Sequence, residues 1–344
     1  MLGITEDFPK NQIEFDRRLA TEQHCIEYLF HLRWPTGFSC PQCGHDHYWQ
    51  SSRDLYICRR CEYQQSITAG TIFHGTRKPL TTWFRAMWWF VTRKSGVNAV
   101  NLQQLLGLGS YKTAWNWLQK LRSCTVCADR LPLSGIVEAD EFYLGGEASG
   151  KRGRGAEHKC AVAVAVERQG HKLGRLRLHV ITSCSAGELI PFVTNNVAAG
   201  STIKTDGWKA YNRLADLGYD HRQILQSKIE DKNSVLPGVH LIASLVKRLI
   251  LGTFQGRFEV KYLQRYLDEY VFRFNRRTTR TVGKRFWRVV QQAVVTHPMT
   301  WSSRFDWTVI PVLSGQGFRF YLDSSFLLFF LSWLWFPGVQ SLVL

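Results

Sequence analysis

Ile136-Val137-Glu138-Ala139-Asp140-Glu141-Phe142-Tyr143-Leu144-Gly145-Gly146 is the stretch whose reading decides the fold. It is rich in β-branched and aromatic residues and ends on two glycines, so it reads as a strand with an acid near its end. Side chains alternate along a strand, which puts Glu138 and Asp140 on one side and Glu141 on the other. Two more strand-like runs follow at 160–167 and 173–181, the second alternating Leu176, Leu178 and Val180 with Arg175, Arg177 and His179. The period then switches to a helix at 187–197, a strand at 201–206 and a helix at 209–214, with two further helices at 240–251 and 260–276. Successive strands followed by alternating helix and strand imply an α/β (mixed) fold, a mixed sheet flanked by helices.

Upstream of this region the chain is helical and metal-binding in character. Residues 22–32 carry Cys25, Ile26, Leu29 and Phe30 on one helical face, and Trp34-Pro35-Thr36-Gly37 ends it. Residues 81–121 fit three helices: Trp83, Phe84, Met87, Trp88 and Val91 line the first, Val100, Leu102, Leu105 and Leu106 the second, Ala114, Trp117, Leu118 and Leu121 the third. Gly107-Leu108-Gly109-Ser110 is a turn, and Ser110 is placed to cap the helix bearing Tyr111, Lys112, Asn116 and Lys120. That arrangement suits a helix-turn-helix reading DNA, and equally a plain bundle.

Between these helices stand Cys40-Pro41-Gln42-Cys43 and Cys58-Arg59-Arg60-Cys61, with fourteen residues between Cys43 and Cys58 and small strands expected at 48–50 and 55–57. Each pair on a tight knuckle offers two thiolates, and four thiolates suit one tetrahedral zinc ion at about 2.3 Å. A zinc ion with four sulfur ligands has no open position, so its expected role is structural. Arg53, Arg59, Arg60 and His47 are expected on the surface of the ribbon. Cys124-Thr125-Val126-Cys127 has the same inner spacing without a second pair and reads as incidental.

The charge balance agrees with a polyanionic partner. Lys and Arg number 44 against 27 acids, a net charge of +17, and each phosphate neutralised by a cation releases condensed counterions. Nine cysteines, an odd number in clustered pairs, with no basic-apolar leader at Met1, point to a reducing cytosol rather than a disulfide framework. The run 326–336 is apolar and aromatic but shorter than the roughly 20 residues a membrane span needs. It reads as part of a C-terminal extension, and no membrane partner is expected.

A second acid resembles Asp140 in its setting. Asp206, in Ile203-Lys204-Thr205-Asp206-Gly207-Trp208, also ends a strand, just before a helix. Phosphodiester chemistry explains why two such carboxylates would be brought together, because a pair of Mg²⁺ or Mn²⁺ ions about 3.5 to 4 Å apart clamps the attacking and leaving oxygens. Two cationic stretches could grip the backbone of the substrate: Lys151, Arg152 and Arg154 in a glycine-rich loop, and Arg273, Arg276, Arg277, Arg280, Lys284 and Arg285 farther on.

Together these segments, with Gly70-Thr71-Ile72-Phe73, Thr205-Asp206-Gly207-Trp208-Lys209-Ala210-Tyr211 and the run from Tyr266 to Arg277, resemble the zinc-ribbon insertion-sequence transposases of the DDE class (ISXO2-like group) over about residues 22–295. The resemblance implies an RNase H-like catalytic core, a catalytic Mg²⁺ or Mn²⁺, and cleavage and joining of double-stranded DNA at the terminal repeats of the element. It implies self-association as a homo-oligomer and a cytoplasmic, nucleoid-associated location in a bacterium. Asp140 and Asp206 take the first two acidic positions. The third departs from the pattern, since Leu245 stands where relatives carry Asn or Glu, and leucine cannot ligate a metal. Glu269 is the acid nominated in its place, with His240 and Lys247 beside the scissile phosphate. The corresponding division is a lead-in at 1–35, the ribbon at 36–70, a helical DNA-binding domain at 71–130, the catalytic domain at 133–295 and an extension at 296–344. The competing reading is a non-catalytic DNA-binding regulator, or an inactive copy.

Overall fold

The computed structural model describes residues 6–127, 129–145, 159–224, 235–256 and 258–298. The apolar run at 326–336 and the loop cations Lys151, Arg152 and Arg154 lie outside the described residues. The chain opens with α1 (Gln12–Arg18) and α2 (Glu22–Arg33), then a three-stranded sheet of β1 (Tyr48–Gln50), β2 (Leu55–Cys58) and β3 (Gln64–Ser66), then α3 (Leu80–Thr92), α4 (Ala99–Leu106) and α5 (Tyr111–Ser123). Helix starts follow their caps: the side chains of Asn11, Thr21, Asn98 and Ser110 each accept an N–H three residues on. Gly107 ends α4 in the left-handed conformation, so the turn into α5 is the one its composition implies.

Aromatic rings knit this half together. Phe30 and Trp34 of the α2 end meet Phe38, Tyr48 and Tyr56 of the ribbon at ring separations of 5.0 to 5.9 Å. Trp83 of α3 stacks on Trp117 of α5 at 3.7 Å, so both serve the core, as their helical spacing implies.

The second half begins with β4 (Ile136–Leu144), β5 (Cys160–Gln169) and β6 (Lys172–Ile181), an antiparallel meander. After α6 (Ala186–Asn196) come β7 (Thr202–Thr205), a 3-10 segment (Lys209–Leu217) and β8 (Asp220–Gln223). Helices α7 (Pro237–Phe254), α8 (Val260–Asn275) and α9 (Val282–Val295) follow. Strand order is β6-β5-β4-β7-β8, with β7 parallel to both β4 and β8. This is the mixed sheet flanked by helices that an RNase H-like core requires.

The two faces of the sheet separate by residue parity. Phe142, Leu144, Val162, Val164 and Val166 pack under Val239, Ile242 and Val246 of α7 and Leu263 and Leu267 of α8. Val137, Ala139, Ala161, Ala163, Ala165 and Ile203 pack beneath Leu189 and Val193 of α6 and Tyr211 of the 3-10 segment. The row of alanines on the second face leaves room for the larger side chains above it.

The hydrophobic core links the far end of the described chain to its beginning. Phe286, Val289, Val290 and Ala293 of α9 are buried with α2 and α3, in the same cluster as Phe38, Tyr56 and Ile72. The segment 133–295 is thus not a self-contained unit, because its last helix completes the hydrophobic core of the N-terminal half. Gly283 marks where the N-terminal segment crosses α9, since a Cβ there would overlap the carbonyl oxygen of Pro9.

A glycine inside a helix ordinarily gains about 1 kcal/mol of stability on replacement by alanine. At Gly283 the backbone clash reverses the sign. Gly283→Ala is expected to cost about 1–3 kcal/mol, the range for overpacking, read as a lower chemical-denaturation midpoint. An unchanged or raised midpoint would show that α9 does not seat on the N-terminal segment in this way.

Candidate active site and metal centre

The pairing of β4 with β7 decides whether the two aspartates meet. Glu138 pairs with Lys204 in parallel register, and Asp140 and Asp206 each lie two residues beyond those partners. Alternation then sets their side. Glu138, Phe142 and Leu144 face α7 and α8, whereas Val137, Ala139 and Ile203 face α6, so Asp140 and Asp206 belong to the α7 side. Both are half-buried, but Asp140 is the central residue of the nine-residue β4 rather than near its end as the sequence suggests, because pairing with β5 carries the strand on to Leu144, and Asp206 directly follows the last residue of β7. Oδ1 of Asp140 accepts the Glu141 N–H at 2.8 Å, and Oδ1 of Asp206 accepts the Trp208 N–H at 2.9 Å, closing the turn into the 3-10 segment.

Behind the pair stands Tyr211, 1% exposed, whose hydroxyl donates to Oε2 of Glu141 at 3.4 Å. Burial first, and then the charges of Glu141, Asp140 and Asp206, hold its ionisation well above the usual tyrosine value. Three carboxylates therefore act on one buried hydroxyl. Of the three, Asp140 and Asp206 on neighbouring strands offer carboxylate oxygens of the hard kind that a divalent cation such as Mg²⁺ takes.

Helix α7 covers this side of the sheet. The carboxylate of Glu138 accepts the N–H groups of Gly238 and Val239 at 2.7 and 3.2 Å, so the first turn of α7 is held beside the strand that carries Asp140. His240 follows in the same turn. One turn and two turns farther along, Ser244 and Lys247 continue its exposed stripe, and with Arg248 they line an open groove of about 830 Å³. Leu245 is half-buried and falls on the helix side continued by Leu249 and Thr253, which pack beside Gly96 in the α3–α4 connection.

Glu269, nominated from sequence as the third acid, is not brought to this site. It is 2% exposed on α8, with Oε2 accepting Arg122 Nε at 2.9 Å and Oε1 accepting Arg273 Nε and Nη2 at 2.9 and 2.7 Å. Arg122 also donates to the Val97 carbonyl at 3.3 Å, and Arg273 to the carbonyls of Phe90 and Arg93. The triad locks the helices α3 and α5 to α8. Both oxygens of Glu269 are thus engaged by cations, and the Arg273 side chain is turned inward onto Glu269 and α3. Arg276 lies over the Phe272 ring at 4.2 Å. Arg277 lies over Phe274 at 4.0 Å and also donates to the Gly174 carbonyl at 3.2 Å, although much of it remains exposed.

At the other end of the chain the four ribbon sulfurs converge, all within 4.8 Å of one another, with Cys40 to Cys61 and Cys43 to Cys58 both at 3.6 Å. Thiolates on a tetrahedral ion at about 2.3 Å stand roughly 3.8 Å apart, so the donor set fits zinc. Each Cys-x-x-Cys pair is followed by a residue at positive φ, Gly44 at 73° and Glu62 at 57°, which turns the chain back around the metal position. Arg53, Arg59, Arg60 and His47 lie on the exposed surface of the ribbon, as the sequence suggests.

Glu138, Arg122 and Tyr211 are functional neighbours that sequence reading missed. Their partners lie 70 to 147 positions away in the chain, so no local spacing announces them. Two measurements separate these assignments. Removing zinc by chelation, or by Cys58→Ser, should melt β1–β3 and lower the thermal midpoint, because four-sulfur sites contribute folding energy outright; a ribbon whose circular dichroism and midpoint ignore metal content would contradict a structural ion. Glu269→Gln should cost about 3–5 kcal/mol of stability, the range for breaking a buried ion pair, while divalent-cation affinity stays as in the wild type. Weakened Mn²⁺ binding in a folded Glu269→Gln protein would return this residue to the metal site.

With the geometry in place, comparison with known families is informative. Residues 132–275 match the ISXO2-like transposase domain and residues 20–64 match the transposase zinc-ribbon domain, together more than half of the chain. Among curated proteins no match is found. The order of the two matched domains, the mixed sheet and the ribbon cysteines agree, and the chain belongs to the zinc-ribbon transposases of the ISXO2-like type.

Proposed function

We propose that the protein binds double-stranded DNA at the ends of a mobile element and catalyses strand cleavage and strand transfer. The observation that carries this reading is the presence of Asp140 and Asp206 on one side of adjacent parallel strands, beneath a helix whose open side bears His240, Lys247 and Arg248. A divalent cation held by the two aspartates would stabilise charge developing on a phosphoryl oxygen and on the leaving oxygen.

The chain's own residues supply the rest. Lys247 and Arg248 neutralise phosphate along the α7 groove, and His240, in the first turn, is placed to donate to a phosphate oxygen nearest the acids. Such contacts hold the scissile bond in line with the carboxylates, the largest service a protein can render to phosphoryl chemistry. Recognition falls to the N-terminal half. The start of α5 presents Tyr111, 53% exposed, and Lys112 for groove contact, while Arg53, Arg59 and Arg60 on the ribbon suit backbone phosphates. Self-association on paired ends and action in the cytoplasm on nucleoid DNA complete the reading.

A second reading, a DNA-binding regulator or inactive copy, is favoured by Leu245 and by the engagement of Glu269, which leave the third acidic position without an acid. One assay divides the two. Cleavage of a labelled element end in Mg²⁺ or Mn²⁺ should fall about 10³-fold in Asp206→Ala or Asp140→Ala, which is what several kcal/mol of lost charge stabilisation gives. Equal cleavage by wild type and variant removes the enzyme reading. DNA binding without cleavage by the wild type favours the regulator.

A further inference from the structure

A buried carboxylate two residues from Asp140 is used by neither the metal site nor the DNA groove. Glu138 is 4% exposed, near the start of β4, and both of its oxygens are committed. Oε2 accepts the Gly238 and Val239 N–H groups, and Oε1 meets Arg168 Nε at 3.2 Å. The first N–H groups of a helix have no partner within it, and they carry the positive end of its dipole. Here a strand residue from a different part of the chain fills that role, because Leu236, the residue before α7, supplies no side-chain cap. Gly238 keeps the approach open, since a Cβ on it would stand 2.6 Å from Oε2 of Glu138 and 2.9 Å from Leu173 Cδ2.

We propose that Glu138 is a positioning residue: by clamping the first turn of α7 to β4 it sets the distance between Asp140 on the strand and His240 and Lys247 on the helix. Arg168 balances the buried charge, so the clamp reaches from β5 through β4 to α7. The inference rests on the cleavage reading for its catalytic consequence, but the clamp itself is tested without it. A misplacement of about 1 Å between reacting groups costs on the order of 100-fold in rate. Losing the clamp should therefore lower turnover while the cationic groove, intact on α7, keeps its affinity for DNA.

The full-length protein is compared with Glu138→Gln, Glu138→Ala, Gly238→Ala and the double variant Glu138→Asp with Gly238→Ala. Hydrogen exchange in the peptide spanning 235–241 reads the clamp directly. Glu138→Gln, which keeps an acceptor oxygen, should exchange within about threefold of wild type, and Glu138→Ala at least tenfold faster. With Mn²⁺ and a labelled DNA end, kcat should fall about 100-fold in Glu138→Ala with DNA Kd unchanged, and recover most of the way in Glu138→Gln. Gly238→Ala should lose activity alone and regain part of it in the double variant, where the side chain at position 138 is one methylene shorter and makes room. Unchanged exchange in Glu138→Ala overturns the clamp. Faster exchange with wild-type kcat overturns the positioning role, as does a fall in kcat that Glu138→Gln does not rescue. A wild type that cleaves nothing defeats the cleavage reading and with it the catalytic part of this one, while the exchange experiment still decides the clamp.

Discussion

The parallel pairing of β4 with β7 is the constraint from which the rest of the molecule follows. A strand has only two sides, and a shift of one residue in register would turn Asp206 away from Asp140. The observed register is held from both layers. Val137 and Ile203 are driven into the core beneath α6, and Glu138 on the opposite side is tied to α7. Hydrophobic burial thus fixes which acids share a side, and a polar clamp fixes what lies over them.

The N-terminal half is joined to this sheet in a different manner. Its core is closed by α9, returned from the far end of the described chain, so ribbon, helices and mixed sheet cannot be separated by one cut. The Glu269 triad adds a buried electrostatic joint between α5 and α8. Buried ion pairs contribute little net stability against an apolar replacement, but removing one partner is costly, so they act as keys to one arrangement. The last turn of α5 is in this way held against α8 of the second half, while its first turn stays exposed.

Much of the fold was legible because the period of the side chains is a local property. The run at 136–144 and the two strands after it announced themselves by alternation and β-branched content, and the ribbon by cysteine spacing alone. β8 was not legible: Asp220-His221-Arg222-Gln223 is polar throughout, and only its position beside β7 makes it a strand. α9 carries a readable apolar stripe, but its basic residues suggested a DNA-facing strip. In the site, Asp140 and Asp206 stand two residues beyond a paired position of β4 and β7, a relation that only the sheet register supplies, whereas Glu269 is drawn into an ion-pair triad with Arg122 and Arg273. Its place at the border of an apolar helix face looks the same in sequence whether the neighbour is solvent, a metal or a buried arginine, and Arg122 lies 147 positions away.

The contrast between the acids gives a physical criterion for their roles. Glu138 and Glu269 are buried, and each divides its two oxygens among donors supplied by the protein itself, the condition under which a buried carboxylate is tolerated. Asp140 and Asp206 are only half-buried, one at the centre of β4 and the other just past β7, with Tyr211 beneath. The two fully buried acids are thus the ones that hold the helices in place, Glu138 fixing α7 to β4 and Glu269 fixing α3 and α5 to α8.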